Sequence, residues 1–152
     1  MDQKKIRFAS RPITMLVATL SVVGSLVPLY GNAQAGRLPD LPEIRFTKVP
    51  SSGGGPDHLE TIAGVVSGIN VKECDCRIVL YSLSDQYWVQ PFADNPYTEL
   101  LPDNSFEADI HLGQSYYALL VKKSYRAPAR LAQLPDVGGE VIVIASVKAK
   151  QN

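Results

Sequence analysis

The sequence predicts an all-β domain, a two-sheet antiparallel sandwich of about seven strands. Three observations support this expectation. Short stretches in which apolar and polar residues alternate recur about every 10–15 residues along the chain. Residues that favour turns, mainly Gly, Pro, Asn and Asp, separate these stretches. No amphipathic stretch is long enough to predict a helix of useful length.

The first 35 residues have the composition of an export signal. A basic start is followed by an uncharged apolar run, Ile13 to Leu29, and Ala33-Gln34-Ala35 fits the small-x-small cleavage pattern. We therefore expect residues 1–35 to be a signal peptide and residues 36–152 to form a single β-sandwich domain, exported to the periplasm or outside the cell. A retained membrane anchor is the alternative, but the run contains a glycine and a proline and is short for a spanning helix of about 20 residues.

The mature chain is expected to be mildly acidic, which limits its partners. The predicted signal contains four of the 15 basic residues and one of the 15 acidic residues, so the remainder has a net charge of −3 (11 − 14). Such a domain is unsuited to nucleic acid and to anionic membrane surfaces, and we expect no membrane insertion after signal cleavage. A polysaccharide or a cell-envelope protein fits this charge better.

The first two strands are expected on either side of a loop rich in Gly, Ser and Pro. Glu43–Val49 alternates polar and apolar residues, as a strand with one buried face does. The second strand is expected around Ile62–Ile69. Its Gly64 and Gly68 indicate a bulge or a close approach of another part of the chain.

The next two strands are expected to form a hairpin. Arg77–Leu83 is a strongly apolar strand, and Tyr87–Gln90 follows it after a tight turn. Pro91 ends the second strand because proline cannot donate a hydrogen bond to a sheet. Trp88 and Gln90 should point to one face of this strand, and Tyr87 and Val89 to the other.

The second half of the domain is expected to complete the two sheets. Thr98–Leu101 is a candidate for a short strand, and Phe106–Leu112 shows the cleanest alternation in the chain. Tyr116–Ser124 is apolar on both faces, which predicts a central strand. Ala127–Asp136 has room for one helical turn, and Glu140–Val147 is the last strand.

This pattern is typical of a sandwich of the immunoglobulin or fibronectin-III type. The first and last strands are the natural edge strands. Lys148 and Lys150 would discourage the pairing of the last strand with another molecule.

Cys74 and Cys76 are the only cysteines of the chain. An oxidising compartment favours their pairing, but extended residues i and i+2 lie about 6.5 Å apart, at the far end of the disulfide range. A local disulfide, two free thiols, and metal or intermolecular pairing all remain open. A local bridge would close almost no chain and would stabilise the domain little.

The sequence shows no motif for catalysis. It has no Gly-x-Ser-x-Gly elbow and only two histidines, His58 and His111. His111 lies two residues after Asp109, and we interpret these residues as a solvent-facing pair rather than a catalytic dyad. We therefore expect no enzymatic activity, no cofactor and no metal. A small glycoside hydrolase with paired carboxylates is the weakest alternative, and its candidate acids are Glu99, Asp103, Glu107 and Asp109.

Aromatic residues give the most useful functional signal. A flat, exposed aromatic ring offers sugar rings a platform for stacking, and this interaction needs no net charge. The candidate ligand-binding residues are Tyr87, Trp88, Gln90 and Tyr97. The alternative is that Trp88 fills the core between the sheets, as a single tryptophan often does in such sandwiches.

Several short motifs occur in the same order as in a family of bacterial exported β-sandwich modules, which are found alone or beside carbohydrate-active enzymes. These motifs are Ile44…Val49-Pro50, Gly64-Val65-Val66-Ser67-Gly68, Arg77-Ile78-Val79-Leu80-Tyr81, Tyr87-Trp88-Val89-Gln90-Pro91, Pro96-Tyr97-Thr98-Glu99-Leu100, Asp103-Asn104-Ser105-Phe106 and Asp109-Ile110. The chain resembles this family over nearly all of the expected mature domain. It departs at Tyr87 and Phe106, where the family has Trp, and at Gln90, where the family has Lys.

The resemblance implies a secreted accessory or binding module and no reaction. Together with the charge and the aromatic residues, it predicts a non-catalytic module that binds carbohydrate at the cell envelope or outside the cell. The first alternative is a structural or protein-interaction domain of the envelope that uses an exposed sheet edge.

Overall fold

The computed structural model describes residues 41–55 and 57–151, and these residues form two antiparallel sheets and no helix. The predicted signal peptide, residues 1–35, lies outside the described residues. The strands are β1 (Glu43–Lys48), β2 (Leu59–Ser67), β3 (Cys76–Leu83), β4 (Tyr87–Gln90), β5 (Ser105–His111), β6 (Ser115–Lys122), β7 (Arg130–Leu131) and β8 (Val141–Lys148). Within the described part of the chain, no helix has the length and apolar character needed to cross a membrane.

The strand order confirms the predicted sandwich. One sheet has the order β1-β2-β5, and the other has the order β7-β4-β3-β6-β8. The pairs β2–β5 and β3–β6 join strands that are not consecutive, as the Greek-key connections of immunoglobulin-like sandwiches do. The first and last strands lie at sheet edges, as predicted, and β6 lies between β3 and β8.

Two of the predicted elements are absent. Thr98–Leu101 is not a strand: only Thr98 pairs with Ile78, through two backbone hydrogen bonds of 2.9 Å. Leu101 instead closes the turn before β5 by donating its N–H to the carbonyl of Ser105 (2.8 Å). Residues 127–136 contain no helical turn. Their short strand β7 pairs antiparallel with β4 and lengthens the larger sheet.

The core between the sheets is built from alternate residues of facing strands. The smaller sheet contributes its inward side chains, and the larger sheet covers them with the inward side chains of β3 and β6. The fully or nearly fully buried members are Ile44, Ile62, Val66, Cys76, Ile78, Leu80, Phe106, Ile110, Tyr116, Ala118 and Leu120. Gly64 allows Phe106 to pack directly on the backbone, since a Cβ atom at this position would lie 2.5 Å from Cζ of Phe106.

The larger sheet is also buried on its outer face. Residues 123–140, which connect β6 to β8, lie across this face and cover a second apolar cluster that includes Val79, Tyr81 and Leu119. Arg77 holds the start of this connection, because its guanidinium donates to the carbonyls of Lys123 (2.8 Å) and Tyr125 (3.1 Å). The hydroxyl of Tyr81 donates to the carbonyl of Pro128 at 3.0 Å. The apolar character of both faces of β3 and β6 thus follows from this covering segment.

Candidate ligand-binding groove

An open groove of about 570 Å³ lies at the side of the sandwich where β4 and the end of β5 approach each other. We call it the Trp88 groove. Its principal side chains are Trp88, Gln90, Phe92, His111 and Leu112, and the backbone of Gly54 and Gly55 forms part of its wall. Its volume is within the usual range for small-molecule sites, about 300–1,000 Å³.

The register of β4 places Trp88 in this groove. Trp88 lies directly opposite the buried Ser82 of β3, so its side chain is on the inter-sheet side of the larger sheet. The facing strand β5 ends at His111 and does not cover the ring. As a result, 39% of the surface of Trp88 is exposed, and the indole is a wall of the groove rather than part of the core.

Hydrogen bonds fix the orientation of the indole. Its Nε1–H donates to Oδ1 of Asp85 (3.0 Å), which also accepts a hydrogen bond from the hydroxyl of Ser84 (2.9 Å). These bonds favour the ionised carboxylate, so the pKa of Asp85 lies below its ordinary value. The ring is therefore held in place by the turn between β3 and β4.

Gln90 forms the floor of the groove and joins the two sheets. Only 3% of its surface is exposed. Its Oε1 accepts a hydrogen bond from the backbone N–H of His111 (2.9 Å) and lies 3.1 Å from Nδ1 of the same residue. Because an amide oxygen can only accept, Nδ1 is the donor in this contact. The amide nitrogen of Gln90 donates to the carbonyl of Trp88 at 3.3 Å.

Phe92 adds a second exposed ring, with 52% of its surface accessible. It packs edge-to-face on His111, with 5.8 Å between the ring centroids and an angle of 81°. The peptide bond between Gln90 and Pro91 is cis. Phe92, His111 and Leu112 were not among the predicted ligand-binding residues. The signal available for Phe92 was a large apolar residue in a loop of turn-forming residues.

The structure brings together only two of the four predicted ligand-binding residues. Trp88 and Gln90 lie in the groove, whereas Tyr87 points to the opposite face of β4 and packs edge-to-face on Tyr117 (5.0 Å, 77°). Tyr97 is half-buried beneath the guanidinium of Arg77, which lies 3.1 Å from its ring centroid. Its hydroxyl donates to the carbonyl of Tyr125 at 3.1 Å.

The Trp88 groove has no carboxylate, ammonium or guanidinium group among its described lining residues. Its polar groups are the hydroxyls of Ser82 and Ser84, the amide of Gln90 and the imidazole of His111. Such a lining fits a neutral ligand with both apolar and hydroxyl surfaces.

The acids considered for catalysis lie outside this groove. Asp103 stabilises the turn before β5, since it accepts hydrogen bonds from the hydroxyl and the backbone N–H of Ser105 (2.6 and 3.0 Å), and its pKa is lowered. Asp109 accepts from the hydroxyl of Thr61 at 2.9 Å, and His111 interacts with Gln90 rather than with Asp109. The part of the chain that is described contains no group of three or more metal-ligating side chains.

Of the alternatives open for the cysteines, the structure has the local disulfide, Cys74–Cys76, with Cα atoms 5.1 Å apart. The chain turns just before the bridge, because the N–H groups of Glu73 and Cys74 both donate to the carbonyl of Asn70 (3.0 and 2.8 Å). This turn replaces the extended geometry that would have separated the sulfur atoms.

Compared with protein-family models and with curated proteins, the sequence has no significant match. The resemblance to the exported accessory modules therefore stays a prediction.

Proposed function

We propose that this domain is a non-catalytic, exported binding or accessory module, and that its Trp88 groove binds carbohydrate of the cell envelope or of the extracellular space. The observation that carries this proposal is the indole of Trp88, which is partly exposed and held in position by Asp85. A ring that is already oriented loses little conformational freedom when a ligand stacks on it.

The chemistry of the groove supports a sugar. The face of an aromatic ring carries partial negative charge and attracts the C–H groups on one face of a pyranose. Phe92 offers a second apolar surface close by, and His111 and Ser84 supply groups that hydrogen-bond to hydroxyls. The absence of fixed charge among the described lining residues favours a neutral glycan over an anionic one.

We expect weak binding. Stacking one sugar ring on Trp88 removes about 100 Å² of apolar surface from water, which contributes about 2.5 kcal/mol. Association itself costs about 4 kcal/mol or more. A single ring would therefore bind poorly, and an oligosaccharide that also contacts Phe92 is the expected ligand.

The disulfide supports export. Bridges such as Cys74–Cys76 persist in oxidising compartments and are rare in the cytosol. This agrees with the export signal expected at residues 1–35.

The test is a titration of the protein with a panel of neutral and charged oligosaccharides, monitored by tryptophan fluorescence. Trp88 is the only tryptophan, so any change in emission reports on this site. We expect a saturable change with a neutral oligosaccharide. Calorimetry on Trp88→Ala should show at least a 10-fold loss of affinity, and Tyr87→Phe, on the opposite face of β4, should bind as the unmodified protein does. Binding that survives in a folded Trp88→Ala variant would refute the proposal.

A further inference from the structure

The strand β5 is an edge strand. It pairs only with β2 among the described strands. On its outer side, the carbonyl of Ser105 accepts from the N–H of Leu101 (2.8 Å) and the N–H of His111 donates to Gln90 (2.9 Å), so the open part lies between these two residues of β5. The carbonyl of Asn104, just before β5, accepts from the N–H of Val66 in β2 (2.9 Å). The even-numbered residues of β5 therefore direct their backbone N–H and C=O groups toward β2. The N–H of His111 donates instead to Gln90, so odd-numbered residues direct theirs away from it. The backbone N–H and C=O of Glu107 and Asp109 thus point outward.

The outward side of β5 borders a second groove, of about 450 Å³, which we call the β5 groove. Two large apolar residues at this groove are substantially exposed, Leu59 (47%) and Phe92 (52%). In immunoglobulin constant-type sandwiches, a fourth strand continues the sheet at this position. Here β4 belongs to the other sheet, and this position beside β5 is unoccupied by any described strand.

The charge of the β5 groove indicates what can occupy this position. Glu99, Glu107 and Asp109 are exposed there, and the described residues that line it include no Lys or Arg. The β5 strand of a second copy is a poor occupant, since it would place acidic residues beside the same carboxylates. A segment with positive charge would be attracted.

We propose that the outer edge of β5 binds an extended basic segment of another protein, which adds a fourth strand to the sheet β1-β2-β5. Glu107 and Asp109 lie on the outer face of this sheet, since Phe106, Ala108 and Ile110 alternate with them and face the core cluster. Cross-strand neighbours share a face. The bound segment therefore carries Lys or Arg beside Glu107 and Asp109, and small apolar residues on its other face, toward Phe92.

This interaction does not depend on the Trp88 groove. Strand addition obtains its affinity from main-chain hydrogen bonds and its specificity from alternate side chains. Glu107 and Asp109 supply the main-chain groups and the side chains for this interaction, and neither residue lines the Trp88 groove. Only Pro91 and Phe92 border both grooves, so either function can fail while the other persists.

The test uses synthetic octapeptides of alternating Lys and Val, or alternating Glu and Val, added to the intact protein. Hydrogen exchange of backbone amides is followed by NMR. With saturating Lys/Val peptide we expect exchange at Glu107 and Asp109 to slow at least 10-fold, and we expect no effect of the Glu/Val peptide. Two further Lys/Val peptides carry methyl groups on the backbone nitrogens of either the valines or the lysines. One of them should bind weakly, because only one of these two sets of N–H groups faces β5.

Substitutions in the protein provide the second test. Glu107→Gln combined with Asp109→Asn removes two charges and should weaken binding of the Lys/Val peptide at least fivefold. Glu43→Gln, at the opposite edge of the same sheet, is the matched control and should leave it unchanged. Trp88→Ala should also leave it unchanged. Equal binding of the acidic and basic peptides, protection at β1 or β8 instead of β5, or no protection at all would overturn the proposal.

Discussion

The hydrogen bonds of Gln90 make the sharpest prediction about the structure, because one side chain joins the two sheets. Replacing Gln90 with Met keeps the volume but removes the acceptor for the backbone N–H and the Nδ1–H of His111. It also removes the bond to the carbonyl of Trp88. Each of the three lost bonds costs about 0.5–1 kcal/mol, and the half-buried N–H of His111 left without a partner places the total toward the upper end of their sum. We predict that Gln90→Met lowers the free energy of unfolding by about 2–3 kcal/mol.

The assay is urea unfolding followed by the fluorescence of Trp88 and by circular dichroism. The midpoint should decrease while the slope with denaturant stays constant, since the surface exposed on unfolding is nearly unchanged. In thermal unfolding, the midpoint should decrease by about 10 °C. Gln114→Met is the matched control, because Gln114 is exposed, and it should change the free energy by less than about 0.5 kcal/mol. If the two variants have equal stabilities, Gln90 does not join the sheets as described.

Three further predictions concern the stability of the fold. Gly64→Ala places a Cβ atom 2.5 Å from the ring of Phe106 and 2.9 Å from the carbonyl of Arg45. It should therefore lower the free energy of unfolding, measured in urea, by about 2–3 kcal/mol. Gly54→Ala is the control and should be nearly neutral, because no atom lies within 4 Å of the added Cβ. Reducing Cys74–Cys76 with dithiothreitol should cost at most about 1.6 kcal/mol, the loop entropy of a three-residue ring, and a loss above about 3 kcal/mol would contradict this. Burial raises the pKa of Tyr81 above its ordinary value of 10.0. As the pH rises, the hydroxyl of Tyr81 therefore loses its proton in the unfolded chain before it does so in the folded one. The free energy of unfolding should decrease as the pH rises above about 10. Tyr81→Phe should make this decrease less steep, and an unchanged slope would show that Tyr81 does not contribute.

Much of the fold could be predicted from local pattern. Period-two alternation located β1 and β5, and the apolar character of Tyr116–Ser124 correctly indicated the central strand β6. Local pattern failed where long-range contacts determine the structure. Thr98 pairs with β3 without neighbours that continue a strand, and residues 123–140 cover the outer face without any regular spacing of apolar residues.

The candidate site was only partly predictable for a similar reason. The alternation along β4 correctly separated Trp88 and Gln90 from Tyr87. The alternation could not show that β5 ends before reaching the ring of Trp88. The exposure of this ring depends on how the two sheets are placed over each other. Phe92 and His111 come from separate parts of the chain, and only the folded structure brings their rings within 5.8 Å.

The most direct test of carbohydrate binding at Trp88 is an NMR titration of the protein with a neutral oligosaccharide that binds it. The chain has a single indole N–H, and its signal reports on the groove without ambiguity. We predict saturable shifts of this signal and of Phe92 and His111, with none at Tyr87 and Tyr117 on the outer face. Saturable binding of the glycan that leaves the indole signal unmoved would contradict the proposal.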